Sequence, residues 1–204
     1  AGKTTLMKIT GGFQQPDEGE ARIDGRDSWE HREKIQSRIG SLIETPIFYE
    51  HLSARENLEI HMAYMGQNRD ITGALEQVGL SRTGRKPVAK FSMGMKQRLG
   101  LAGALIGRPP ILILDEPTNG LDPVGIHEIR TLIRSLPHKI GCTVLVSSHL
   151  LPEVELMADD IGILNHGRLL FEGSLEDLRK EAAGMGYPSD NLEETFLAMV
   201  EEDN

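Results

Sequence analysis

Cysteine is almost absent from this 204-residue chain, with Cys142 in the stretch CTVLVSS as its one representative. In so apolar a setting that thiol reads as a small buried hydrophobe in a reducing compartment, not as a nucleophile. No apolar run approaches the ~20 residues that span a bilayer, and no secretory pattern is visible. The chain is therefore expected to be soluble, with any membrane role supplied by a partner. An excess of positive charge is also lacking: 22 basic side chains face 31 acidic ones, for a formal charge of −9. With no polybasic run, a nucleic-acid partner is not expected. Internal repeats and low-complexity linkers are missing as well. A length of 204 residues suits one domain with room for a subdomain.

The elements that are present alternate between strand and helix. GEARIDG reads as a short strand ending at a turn, and RIGSLIE as a second strand. From Ser53 to about Leu80 the pattern is helical, opened by a Ser53–Glu56 capping box and continued by Leu58, Met62 and Met65 at helical spacing. Residues 94–107 read as a helix with Met95, Leu99, Ala102 and Ile106 on one stripe. ILILDEP and CTVLVSS have the continuous apolar character of buried parallel strands. VGIHEIRTLIRSL and LPEVELMAD read as helices, the latter with Pro152 near its first turn. DIGILNHGRLLFEG reads as two strands around a His-Gly turn, AGMGYPSDN as a surface loop, and NLEETFLAMV as an amphipathic helix capped by Asn191 and Glu194. Such alternation predicts an α/β fold with a largely parallel sheet. A mostly helical block over about 53–105 interrupts it as a subdomain.

Chemistry concentrates in a few stretches. Gly2-Lys3-Thr4-Thr5 is the second half of the phosphate-loop pattern G-x-x-x-x-G-K-[ST]. There Gly2 lets backbone N–H groups approach phosphate, Lys3 neutralises the β/γ oxygens and the Thr4 hydroxyl offers an oxygen to Mg²⁺. Taken alone, a GKT triplet is weakly specific. At the end of ILIL, Asp115 is placed to bind Mg²⁺ and Glu116 to polarise an attacking water. His149, after the next strand, suits a γ-phosphate contact at the carboxyl end of a sheet, although a lone strand-end histidine more often has no such role. In KFSMGMKQRLGLAGAL, residues 90–105, Ser92 and Gly94 stand just ahead of a helix whose free N–H groups can receive an anion.

Together, AGKTT, FSMGMKQRLGLA, ILILDEPTNGLD and SSHLL, in this order and spacing, resemble the ATP-binding subunit of an ABC transporter across essentially the whole chain. IGSLIETPIFYEHLSARENL is similar to the ATPases of bacitracin, lantibiotic and related peptide exporters that confer self-protection. The resemblance implies a P-loop NTPase of the ABC ATPase fold, with ATP and Mg²⁺ as ligands. It also implies that the signature loop around Ser92 and Gly94 binds the γ-phosphate held by a second ATPase subunit, with two head-to-tail copies sandwiching two nucleotides. Asp122 would lie at that interface. An integral membrane permease would dock near Phe48–Tyr49, placing the chain peripherally at the cytoplasmic face of the membrane and in contact with it only through the permease.

Three departures from the family pattern stand out. Phe91, Met93 and Met95 replace three of the five usual signature residues, while Ser92 and Gly94 remain. Glu44 occupies the position of the usual glutamine; a carboxylate still ligates Mg²⁺ as an oxygen donor, and a relay to the partner is the other role open to it. The front of the domain, with the strand before the phosphate loop, is expected to lie outside residues 1–204, so that this stretch alone binds ATP poorly. Phe48 and Tyr49 fit either the core or an exposed anchor. Two other functions compete: a soluble ABC-type ATPase of translation or DNA repair, for which 45–90 is too short an insertion, and a binding module without catalysis, which the retained Lys3, Asp115, Glu116 and His149 disfavour.

Overall fold

The computed structural model describes residues 2–66, 69–186 and 191–202. The chain separates into two compact units, residues 4–147 and residues 148–204 with 1–3.

In the larger unit, α1 (Lys3–Thr10) leads to a small hairpin of β1 (Arg22–Ile23) and β2 (Arg26–Asp27). The short strand ends at the turn expected: Asp24 and Gly25 both take left-handed φ, 49° and 75°, the geometry of a tight two-residue hairpin turn, and β2 is the one addition to that reading. After α2 (Arg32–Gln36), β3 (Ile39–Leu42) enters a parallel sheet of order β3-β4-β5, with β4 spanning Ile111–Asp115 and β5 Thr143–Ser147. Between β3 and β4 lie α3 (Ala54–Tyr64), α4 (Ile71–Gln77), two 3-10 turns (Ser81–Thr83 and Val88–Lys90) and α5 (Met93–Leu105). β4 is the buried strand expected, with Leu112, Ile113 and Leu114 wholly enclosed. β5 is not: Leu145 is 41% exposed, because among the described residues β5 pairs with β4 alone.

α5 is buried on more than the expected single stripe. Leu101, Ala104 and Leu105 are enclosed along with Leu99 and Ala102, since β3 covers one side of the helix and α3 and α4 pack against others. Two glycines permit this approach. A Cβ on Gly40 of β3 would stand 2.1 Å from the Ala104 carbonyl oxygen, and one on Gly100 of α5 would meet Leu42 at 2.9 Å. α6 (Pro123–Ile140) continues through Pro137, past the expected end at Leu136. A proline so close to the C-terminus loses one backbone bond, yet the Gly141 N–H still closes the helix on the Pro137 carbonyl at 3.0 Å.

The capping box at α3 forms as read. The Glu56 N–H donates to Ser53 Oγ at 3.3 Å, while the Ser53 N–H and hydroxyl donate to Glu56 Oε2 at 2.7 and 2.6 Å. Ser53→Ala should cost about 1 kcal/mol, seen as a lower urea midpoint at unchanged slope. The Ser53 bonds hold the Glu56 carboxyl below its ordinary value. Their contribution is full above the unfolded pKa and fades as pH drops through the lower folded one, so the deficit of the variant should shrink in acid.

In the smaller unit, α7 (Leu151–Met157) precedes a hairpin of β6 (Asp160–Asn165) and β7 (Arg168–Ser174). His166 and Gly167 make its turn, as expected, with φ of 44° and 82°. α8 (Leu175–Met185) takes in the start of the expected 183–191 loop, and residues 187–190 of that loop lie outside the described residues. Ser174 caps this helix, accepting from the Asp177 N–H at 3.1 Å. Leu178 of α8 and Leu192 of α9 (Leu192–Glu202) pack with Ile161, Ile163 and Phe171 as the core of the unit. Asn191 Oδ1 accepts from the Glu193 N–H at 2.9 Å and its side-chain amide reaches Glu194 at 3.5 Å.

Candidate functional site

Parallel strands carry paired side chains to the same face, and β4 and β5 run in a register that pairs Asp115 with Ser147. Both side chains therefore meet at the carboxyl end of the sheet. There the Thr4 hydroxyl, in the first turn of α1, donates to Asp115 Oδ2 at 2.6 Å across 111 residues of sequence. Asp115 Oδ1 accepts from the Ser147 hydroxyl. Ser147 in turn accepts the Glu116 N–H at 2.9 Å, and its carbonyl receives the same N–H at 3.2 Å.

Glu116 has a left-handed backbone, φ 49°, and Glu44 another, φ 66°. A non-glycine residue in that region costs on the order of 1 kcal/mol or more, and such residues collect at functional sites. Glu44, following β3, forms an ion pair with Lys8, one helical turn beyond Thr4 on α1. Thr5 is exposed in the first turn of α1.

Gly2, Lys3 and His149 belong to the other unit. Gly2 is left-handed at φ 101°. The Lys3 ammonium donates to the Ser148 carbonyl at 2.8 Å, the Leu150 N–H donates to Ser148 Oγ at 3.0 Å, and His149 is exposed.

Ser92, Gly94 and Asp122 come together elsewhere, lining a hollow of about 570 Å³. Ser92 caps α5 by accepting from the Met95 N–H at 3.3 Å, and Asp122 caps α6 by accepting from the Gly125 N–H at 2.8 Å. Two positive helix ends thus open on one concave surface, an arrangement that attracts anions. Sequence reading did not foresee that Asp122 is a cap.

A groove of about 770 Å³ lies between β3, α3 and α5, with Ile47, Phe48, Tyr49 and Tyr64 in its lining. Phe48 is half-buried, whereas Tyr49 is 55%, Tyr64 89% and Ile47 97% exposed. Asn57, itself buried, clamps the loop: its side chain accepts the Tyr49 N–H at 2.9 Å and donates to the Tyr49 carbonyl at 3.1 Å. Lys8, Asn57 and Ser147 all escaped the sequence reading, since their partners are distant or structureless in sequence.

A helix start bonded through a threonine to an aspartate at the end of a parallel strand is the arrangement of P-loop nucleotide-binding proteins. The sequence model of the family described as "ABC transporter" matches residues 1–119. An ABC transporter ATP-binding protein of Bacillus subtilis, YcbN, is 50% identical over 181 residues, covering 88% of this chain and 59% of that protein. The bacitracin transport ATP-binding protein BcrA of Bacillus licheniformis is 47% identical, covering 88% of this chain and 60% of that protein. The lantibiotic transport ATP-binding protein SrtF of Streptococcus pyogenes is 44% identical, covering 96% and 80%. A solved ATP-binding subunit of an ABC transporter superposes with TM-score 0.80 at 30% identity, over 97% of this chain and 83% of that one. The chain belongs to the ABC transporter ATP-binding family and has its P-loop NTPase fold. It spans about three fifths of the length of the first two relatives, 59% and 60%.

Proposed function

We propose that the chain is the ATP-hydrolysing motor of a membrane exporter whose cargo is a peptide antibiotic or similar amphiphile. The observation that carries this reading is the 2.6 Å bond from Thr4 to Asp115, which joins the GKTT and LDEP motifs in one oxygen-lined group. The names of the bacitracin and lantibiotic transport relatives support the cargo class. With transport relatives covering most of the chain, a soluble ATPase of translation or repair is not favoured.

The hydroxyl and carboxylate donors of Thr4 and Asp115 fit Mg²⁺, a hard cation that takes one or two protein oxygens beside phosphate. Thr4 and Asp115 would hold the cation, which would supply positive charge against the developing charge of the transferred phosphoryl group. The Thr4 oxygen would present a lone pair while its O–H still donates a hydrogen bond to Asp115, and Glu44 would supply a further carboxylate once it leaves Lys8. Gly2, Lys3 and Thr5 bind the nucleotide, with the Lys3 ammonium opposing the phosphate charge. Glu116 accepts the proton of the attacking water as its oxygen bonds to the γ-phosphorus and the bond to ADP breaks. His149 donates to the γ-phosphate.

In a homodimer, Ser92, Gly94 and Asp122 act on the nucleotide of the other copy. The block 53–105 forms the helical subdomain, and the groove beside Ile47 and Tyr49 receives a segment of the permease. Among the described residues no helix is long and apolar enough to cross a membrane. The chain would sit peripherally at the cytoplasmic face, held there by the permease.

The test is to purify the full-length protein from its native membranes, measure phosphate release, and identify what accompanies it. A polytopic membrane protein should co-purify and be lost when Ile47 and Tyr49 are both replaced by Asp. Ribosomes, DNA or no companion at all would overturn the motor reading.

A further inference from the structure

Asp115 can orient a cation only if its carboxylate plane is held, and the structure shows what holds it. Of its two oxygens, Oδ2 accepts a hydrogen bond from the Thr4 hydroxyl and Oδ1 one from the Ser147 hydroxyl. Ser147 is buried at 5% exposure, so water has little access to replace its hydroxyl. That hydroxyl can donate one hydrogen bond, and it donates it to the carboxylate; its lone pair accepts the Glu116 N–H at 2.9 Å. One side chain therefore bonds both groups: it holds Asp115 together with Thr4, and it shares the N–H of Glu116, whose φ is 49°, with the Ser147 carbonyl at 3.2 Å. The β4–β5 register delivers it there, since Asp115 and Ser147 are direct partners.

We propose that Ser147 is the positioning residue of the nucleotide site, tying the orientation of the Mg²⁺-binding carboxylate to that of the residue that activates water. This inference rests on the ATPase reading above. A hydrogen bond to a charged group is typically strong enough for its loss to change an equilibrium about tenfold or more. Removing it leaves Asp115 held by Thr4 alone and the Glu116 N–H by the Ser147 carbonyl alone, which loosens both together, so cation response and turnover fall as a pair. The affinity for nucleotide without the cation, which depends on other groups, stays.

The test uses the purified full-length protein and a fluorescent ATP analogue, titrated in EDTA and at rising Mg²⁺, beside steady-state kinetics. Ser147→Ala should bind the analogue in EDTA as the unsubstituted protein does. Its half-saturating Mg²⁺ should rise about tenfold or more, and kcat should fall with little change in KM. Ser147→Thr, which keeps the hydroxyl on a β-branched strand residue, should restore both. An unchanged Mg²⁺ response in Ser147→Ala overturns the proposal. So does a Thr variant as impaired as the Ala one, because shape rather than the hydroxyl would then matter. If Ser147→Ala does not fold, Ser147→Cys, close in volume but a weak donor, carries the same measurement. An unsubstituted protein whose nucleotide binding ignores Mg²⁺ would bring down the ATPase reading itself, and this proposal with it.

Discussion

Glu116→Gln is expected to reduce phosphate release by about a hundred- to ten-thousand-fold, the range associated with a positioned general base, while ATP still binds. The substitution keeps the shape of the side chain and its backbone. The Glu116 N–H would still reach Ser147 Oγ at 2.9 Å and the Ser147 carbonyl at 3.2 Å, so the left-handed turn at φ 49° survives. What is lost is a carboxylate oxygen able to take a proton from water. Steady-state turnover and a labelled-nucleotide titration on the same preparation separate the two effects. Turnover within about twofold of the unsubstituted protein would remove Glu116 from the role of base, since even the weakest general-base contributions are far larger.

Gly94→Asp should be nearly as damaging to turnover while leaving the fold intact, a combination that few substitutions offer. Gly94 lies in the first turn of α5, where a new Cβ would meet only Leu121 Cδ2, at an ordinary 3.8 Å. An acid at a helix start is favourable to the helix by a few tenths of a kcal/mol, so thermal stability should hold or rise slightly. The same negative charge, however, would stand in the hollow shared with Ser92 and Asp122, where a partner's γ-phosphate is proposed to bind. Loss of one such stabilising contact costs about a hundredfold or more in rate. The expected result is lost turnover with an unchanged melting temperature and with nucleotide binding retained through the Lys3–Thr4 loop. A variant that turns over normally would leave the hollow a pair of helix caps and nothing more.

The motifs were legible because their chemistry is local. GKTT carries its amine and hydroxyl within consecutive residues, and ILILDEP announces a buried strand ending in acids, which β4 is. The Ser53–Glu56 box and the His166–Gly167 turn were likewise readable, since each closes bonds or a turn within four residues. The turn at Asp24–Gly25 was readable too, though not the two-residue β2 that follows it; the passage of α6 through Pro137 was not, because there the packed chain overrides a local preference. α8 was missed although Ser174 and Asp177 carry its capping signal.

By itself, then, the amino-acid sequence determined the α/β character of the chain, its family resemblance and which side chains bear charge or hydroxyl at the phosphate loop and strand ends. Tertiary structure alone decided which of them meet. Thr4 reaches Asp115 over 111 residues, Ser147 reaches it through a parallel register set across the intervening α6, and Glu44 is claimed by Lys8. Parallel strands are joined by long crossovers, so their register is nowhere encoded in neighbouring residues. It emerges only when the sheet packs and one carboxylate finds both of its donors.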